Sequence, residues 1–207
     1  TVGDSHSENG WDHSVVKHHL GPILCYSFGR EKMARCNISN FNNLKENDSI
    51  IFCFGEIDCR CHIHKHVSDA KSYQSIIENI VDNYVDAIQT NIDQCKVSLK
   101  HVCIYNVVPP TQKHNTIEDH HYPYCGSDEE RKSYILYFNQ CLQQKCMEKK
   151  WVFFDIYHFY TDEGRKDKDA LLLSTPSICK GGVVPLNTSG VSNPIITLSL
   201  PPSTKSM

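Results

Sequence analysis

Three stretches of this 207-residue chain gather side chains that can move protons or attack a carbonyl. The first is Gly3-Asp4-Ser5-His6-Ser7, where a hydroxyl sits between an acid and an imidazole directly after a short apolar run. A serine just past a strand end, entering a polar turn, presents its hydroxyl and its backbone N–H to the turn's positive end, and that N–H can stabilise an oxyanion. The plain alternative is a serine that only caps the turn. His6 is a base for Ser5 only if the turn folds its ring back onto the hydroxyl, a reach adjacent side chains seldom make. It is otherwise a substrate-binding candidate.

The second stretch, "FGEIDCRCHIHKH" (54–66), holds Glu56, Asp58, Arg60, two cysteines and three histidines. In extended backbone, Cys59 and Cys61 share one face and His62, His64 and His66 the other. That arrangement does not match the Cys-x2–4-Cys spacing of structural zinc sites, so a metal-binding module at 59–66 is the lesser reading and no metal ligands are assigned. His62 or His64 over a site after the strand would bind substrate or stand in as a base; the bland reading is polar loop histidines.

The third stretch is Asp155-Ile156-Tyr157-His158. A histidine makes a serine hydroxyl nucleophilic, and an aspartate fixes its tautomer. Asp155 and His158 are an odd number apart, so in a strand they face opposite sides and converge only if the chain turns at Tyr157.

The elements that must position these groups are legible as apolar runs. "SIIFCFG" (49–55), "KHVCIYNVV" (100–108) and "WVFFDIY" (151–157) have the continuous apolar character of buried parallel strands. Between the first two, Ile76, Ile77, Ile80, Val81, Tyr84, Val85, Ile88 and Ile92 recur at helical spacing, with Ser68 as the expected cap. Between the second and third, Ser127 opens a helix with acids in its first turn and lysines in its last. A short helix around 12–20 and a strand at 23–28 complete the expected order, with "TVG" as the tail of a truncated first strand. Strand and helix alternation predicts a doubly wound α/β fold with a mostly parallel sheet and three α/β/α layers, whose chemistry gathers at the carboxyl ends of the strands. Residues 1–163 are expected to form this domain. From Gly164 to the end the chain is rich in Ser, Thr, Pro and Gly, without histidine, and 164–207 is expected as a poorly ordered, altered tail.

Bulk composition excludes several function classes. A net charge of −3 and a pI near 6.4 exclude an electrostatic nucleic-acid binder. No run approaches the ~18 apolar residues of a membrane span. The eleven cysteines, an odd count, fit a reducing, cytoplasmic setting, with the sequons at Asn37, Asn47 and Asn187 pointing the other way. No cofactor is expected.

"GDSHS" (3–7), Gly21 in "HLGP", "FGEID" (54–58) and "NVVPP" (106–110) occur in the order, and at the strand ends, that resemble the SGNH (GDSL-type) hydrolases over residues 1–160. "GDSHS…HHLGP…FGEIDCRCHIHKH" is similar, more narrowly, to a subgroup associated with glycan metabolism. The resemblance implies a flavodoxin-like SGNH fold with Ser5 as nucleophile and Asp4 supporting its turn. It also implies that the Ser5 and Gly21 N–H groups face an oxyanion, and that Gly55 and Asp58 match the family's Gly-x-Asn-Asp block. Two departures stand out. Ile57 occupies the asparagine position and cannot donate, a loss worth about 10²–10³ in rate unless Arg60 substitutes; the other reading has Arg60 paired with Asp58 or Glu56. The family's Asp-x-x-His block has Asp155 and His158 as its one counterpart.

Three functions follow. The first is a serine esterase or acyl-hydrolase working through a Ser5 acyl-enzyme on a small-molecule or glycan ester, with O-acyl groups of carbohydrate implied by the subgroup. The second is a catalytically impaired fold that binds a glycan or protein partner. The third is the metal module.

Overall fold

The three long apolar runs are strands in the computed structural model, which describes residues 1–111 and 120–161. They are β3 (Ser49–Cys53), β4 (His101–Tyr105) and β5 (Val152–Phe154). With two short strands, β1 (Val2–Gly3) and β2 (His18–His19), they make one sheet of order β2-β1-β3-β4-β5, parallel at every pairing. The chain therefore moves outward from β1 to β2, then returns across β1 to β3 and continues in that direction. Right-handed crossovers place the later connections on one face and the first on the other, which is the doubly wound α/β arrangement.

The crossovers are α1 (Cys25–Glu31), α3 (Tyr73–Asp93) and α4 (Asp128–Lys149), with α1 packed on α3 and α3 on α4. A short helix α2 (Ile63–His66) precedes α3. Alternation along the strands sorts side chains between two cores. Ile50, Phe52 and Ile104 meet the helices, where Phe28, Phe54 and Tyr84 form an edge-to-face aromatic group with centroids 5.2–5.8 Å apart. Cys53, Tyr105 and Phe154 face the other way, under Trp11, Ile156 and Phe159. Among the described residues this second layer is made of turns rather than an α-helix.

Caps account for where the helices start. Ser127 and Glu130 form a reciprocal capping box at α4, as the sequence predicts. The α3 stripe is buried as expected, but its cap is Ser72, whose Oγ accepts from the Ser75 N–H at 3.3 Å; Ser68 instead bridges to Lys71.

Two expectations are overturned between β1 and β3. The helix around 12–20 is absent: that segment runs through Trp11 to β2. The predicted strand at 23–28 is the start of α1, whose buried Cys25, Phe28 and Gly29 make a helical i, i+3, i+4 face. The sequence hides this helix because Leu24 cannot cap it. The cap comes from Asp58, 33 residues away, whose carboxylate accepts the N–H groups of Cys25 (2.6 Å) and Tyr26 (3.0 Å). The extended reading of 59–66 is overturned as well: Asp58–His62 is π-helical and runs into α2. Residues 164–207, expected as a tail, lie outside the described residues. No helix among the described residues is long and apolar enough to cross a membrane.

Candidate active site

The strand order reverses between β1 and β3, and a doubly wound sheet opens a crevice there, at the carboxyl ends of its strands. A small cleft occupies that position, lined by Asp4 and His6 after β1, Phe54 and Glu56 after β3, and Tyr105 and Asn106 at the end of β4. Gly3 lets β1 and β3 close here: a Cβ on it would lie 2.0 Å from the Cys53 carbonyl oxygen.

Asp4 carries the local architecture. Its N–H donates to the Cys53 carbonyl at 3.1 Å, extending the β1–β3 ladder by one bond. Its Oδ1 caps the 3₁₀ turn Ser5–Ser7 by accepting the His6 N–H at 2.9 Å, and the same oxygen pairs with His6 Nδ1 at 3.1 Å. An ionised carboxylate only accepts, so Nδ1 carries the hydrogen and Nε2 is the basic nitrogen. Asp4 is only 2% exposed, and its Oδ2 has no hydrogen-bond partner among the described residues. The turn is pinned from behind by Ser7, whose Oγ donates to the Asp4 carbonyl at 2.7 Å. Trp11 pins it from above, its Nε1 donating to the His6 carbonyl at 2.7 Å.

Charge is concentrated around the imidazole. Burial pulls the His6 pKa down, but the Asp4 hydrogen bond and charge, helped by Glu56, outweigh it and hold the ring above its ordinary value. Glu56 is pushed up by burial and by Asp4, against the lowering effects of Arg60 and His6. Glu56 enters the cleft because Gly55 turns the chain at φ +114°, a conformation that disfavours any side chain; a Cβ there would also meet Val107 and Phe138 at about 3 Å.

The other sequence candidates take varied places. Ser5 follows Asp4 on the same turn, with its side chain exposed and its hydroxyl making no hydrogen bond among the described residues. The Ser5 and Gly21 N–H groups likewise make none, while Gly21 stands just beyond β2 at φ +82°. Asp58 is fully buried and spent on capping α1, so it does not face the cleft. Burial raises its pKa to about 7, against the lowering effect of its two N–H donors. Arg60 pairs with Glu56 at 3.4 Å, and its guanidinium lies 5.3 Å from the Tyr124 ring centroid, with its buried Nε unpartnered. The same Tyr124 ring carries Arg131 on it, also at 5.3 Å.

Helical folding of 58–66 disperses the histidines. His62 stacks between Tyr26 and His66, each 4.5 Å away, and its pKa falls to about 4 through burial and the neighbouring His66, Lys65 and Lys71 charges. His64 Nδ1 meets the Tyr134 hydroxyl of α4 at 3.1 Å. Neither lines the cleft, and among the described residues no three His, Cys, Asp or Glu side chains are grouped to hold a metal ion.

The chain does turn at Tyr157, into a 3₁₀ segment Tyr157–Tyr160, but the turn does not join Asp155 to His158. Asp155 Oδ1 accepts the Tyr157 N–H at 2.9 Å, and the His158 ring lies on Phe159 at 3.9 Å. Of the acid–imidazole pairs among the described residues, Asp4–His6 is the one that lines the cleft; His13–Asp12, His19–Glu8 and His64–Glu130 lie outside it.

Sequence reasoning weighed Glu56 only as a partner of Arg60, and gave Asn106 and Asn139 no role. Asn106 is buried and links the β4 end to the turn after β5: its N–H donates to Phe154 O at 3.1 Å and its Oδ1 accepts the Ile156 N–H at 3.0 Å. Asn139 of α4 clamps both backbone groups of Val107 at 2.7 Å. The available signal for Asn106 was its place at the end of an apolar strand; Asn139 carries none, since an exposed helix face reads the same.

No family model matches the chain, and no curated protein sequence matches it. Among solved structures, a gut microbial diltiazem-metabolizing enzyme is similar over 76% of this chain at 12% identity, with a TM-score of 0.47. The chain spans 31% of that protein's length.

Proposed function

We propose that this chain is an ester hydrolase in which Ser5 is the nucleophile and the Asp4–His6 pair moves the proton. The observation that carries the reading is the carboxylate–imidazole hydrogen bond at the β1/β3 crevice, on the turn that bears Ser5. Ser5 Oγ attacks the acyl carbon, and its proton passes to His6 Nε2. On a 3₁₀ turn consecutive side chains diverge by about 120°, so the transfer runs through one bridging water. Asp4 holds the ring in the productive tautomer and stabilises the imidazolium. The Ser5 and Gly21 N–H groups, with Arg60 in place of the missing asparagine donor, receive the oxyanion. Acyl groups on carbohydrate hydroxyls are the substrate class supported by the resemblance of "GDSHS" and "FGEIDCRCH" to the glycan-associated subgroup.

A second reading, a fold that binds a glycan or protein partner without turnover, is favoured by one observation: no described base touches the Ser5 hydroxyl. Labelling with a serine-directed fluorophosphonate separates the two. The hydrolase reading expects labelling that is lost in Ser5→Ala and His6→Ala and kept in His158→Ala. Absence of labelling in the wild type favours binding. Loss in His158→Ala with His6→Ala unaffected would return the base to the Asp155–His158 segment.

A further inference from the structure

The mechanism above leaves the cleft carboxyl group of Glu56 without a task. Glu56 shares the cleft with Asp4 and His6, and its side chain is only 24% exposed. It stands at the end of β3, on the far side of the switch point from the Ser5 turn. Its ion-pair partner among the described residues, Arg60, sits at 3.4 Å, longer than a direct charge-assisted hydrogen bond. Asp4, whose Oδ2 is buried and unpartnered among the described residues, and Glu56 both line this crevice, so two carboxyl groups share it. We propose that Glu56 is the general acid for the leaving group, and that the enzyme is thereby built for esters of unactivated aliphatic alcohols. This rests on the hydrolase reading above.

The charged and titratable groups facing Glu56 are Asp4 and His6 from the β1 turn and Arg60 from its own helix; β4 contributes Tyr105 and Asn106. Burial and the Asp4 charge raise the hold of Glu56 on its proton, the direction a general acid requires. In acylation the Ser5 proton goes to His6 as the Oγ–acyl bond forms. The ester C–O bond breaks, and the departing alkoxide takes the Glu56 proton. In deacylation Glu56 carboxylate removes a proton from water as its oxygen bonds to the acyl carbon; Ser5 Oγ leaves and recovers its proton from His6. Both residues end as they began.

An aryl ester leaves without help, whereas an alkyl ester needs the acid. The test compares nitrophenyl acetate with a methyl or sugar acetate in the wild type, Glu56→Gln and Glu56→Asp, with near-ultraviolet circular dichroism to check the fold. In Glu56→Gln, kcat for the alkyl ester should fall by about 10²-fold or more, while the aryl ester loses only a few-fold. Glu56→Asp should restore part of the alkyl activity alone. Independently of turnover, the Glu56 carboxyl titration followed by carbon NMR should lie above that of an ordinary glutamate and move to lower pH in Asp4→Asn, because a neighbouring negative charge that holds the proton on is removed. Equal losses on both esters in an enzyme still dependent on Ser5 would overturn the role of Glu56 and leave the hydrolase reading standing. A Glu56 carboxyl that titrates in the ordinary glutamate range would likewise overturn it. No turnover of either ester by the wild type would bring down both.

Discussion

Two buried aspartates, Asp58 and Asp4, stand at neighbouring strand ends and behave oppositely. Asp58 is wholly buried, and its two oxygens take the N–H groups of Cys25 and Tyr26. Asp4, which lines the cleft, is 2% exposed, spends one oxygen on His6 and leaves the other without a partner among the described residues. A buried polar group normally finds its hydrogen bonds. The satisfied carboxylate is therefore structure, holding the first turn of a helix. The half-satisfied one lies at the cleft, and its cost is carried by the rest of the fold.

That contrast can be broken in order of expected effect. Asp58→Ala strands two buried N–H groups at the start of α1 and should cost about 3–5 kcal/mol of stability, read from urea unfolding; a loss below 1 kcal/mol would remove the structural half of the comparison. The same residue has a pH signature. Its folded pKa, about 7, lies above an unfolded value near 4, so the folded state holds the proton more tightly. Its stabilising contribution is complete below about pH 4 and declines as pH rises toward 7. Thermal melts across that window should lose this slope in Asp58→Asn.

Asp4→Asn should leave unfolding nearly unchanged, because asparagine caps a helical turn as well as aspartate. It should nevertheless lower kcat/KM by at least about 10²-fold, or about 2.7 kcal/mol of barrier. A stability loss matching that of Asp58→Ala, with activity intact, would erase the distinction. Asn139→Ala removes two hydrogen bonds to Val107 and should cost about 1–2 kcal/mol, sharpening which contacts hold the cleft wall in place. The smallest effect is a shift of the His6 titration to lower pH in Asp4→Asn, measured by NMR, since Asp4 holds that pKa up. Equal midpoints would mean the pair is not coupled in solution.

The long elements were legible because their signals are local. β3, β4 and β5 are uninterrupted apolar runs, and α3 and α4 carry an apolar stripe or a capping box within a few residues of their own ends. The segment 12–31 was misread because α1 is capped by Asp58 from a distant turn and β2 is two residues long. The histidines at 62, 64 and 66 were misplaced for the same reason: strand parity was applied to a stretch that tertiary packing winds into a helix, burying Cys59 and Ile63.

At the cleft, the sequence alone determined that an acid, a hydroxyl and an imidazole follow the first strand together, because Asp4, Ser5 and His6 are consecutive. It also determined β3, β4 and β5, whose continuous apolar runs suit strands buried on both faces. Only the tertiary structure decided which acid meets which imidazole. Hydrogen bonding between side chains depends on distances that strand order sets: the return of β3 to the flank of β1 brings Glu56 beside Asp4 and His6, while Asp155 and His158 turn to separate partners.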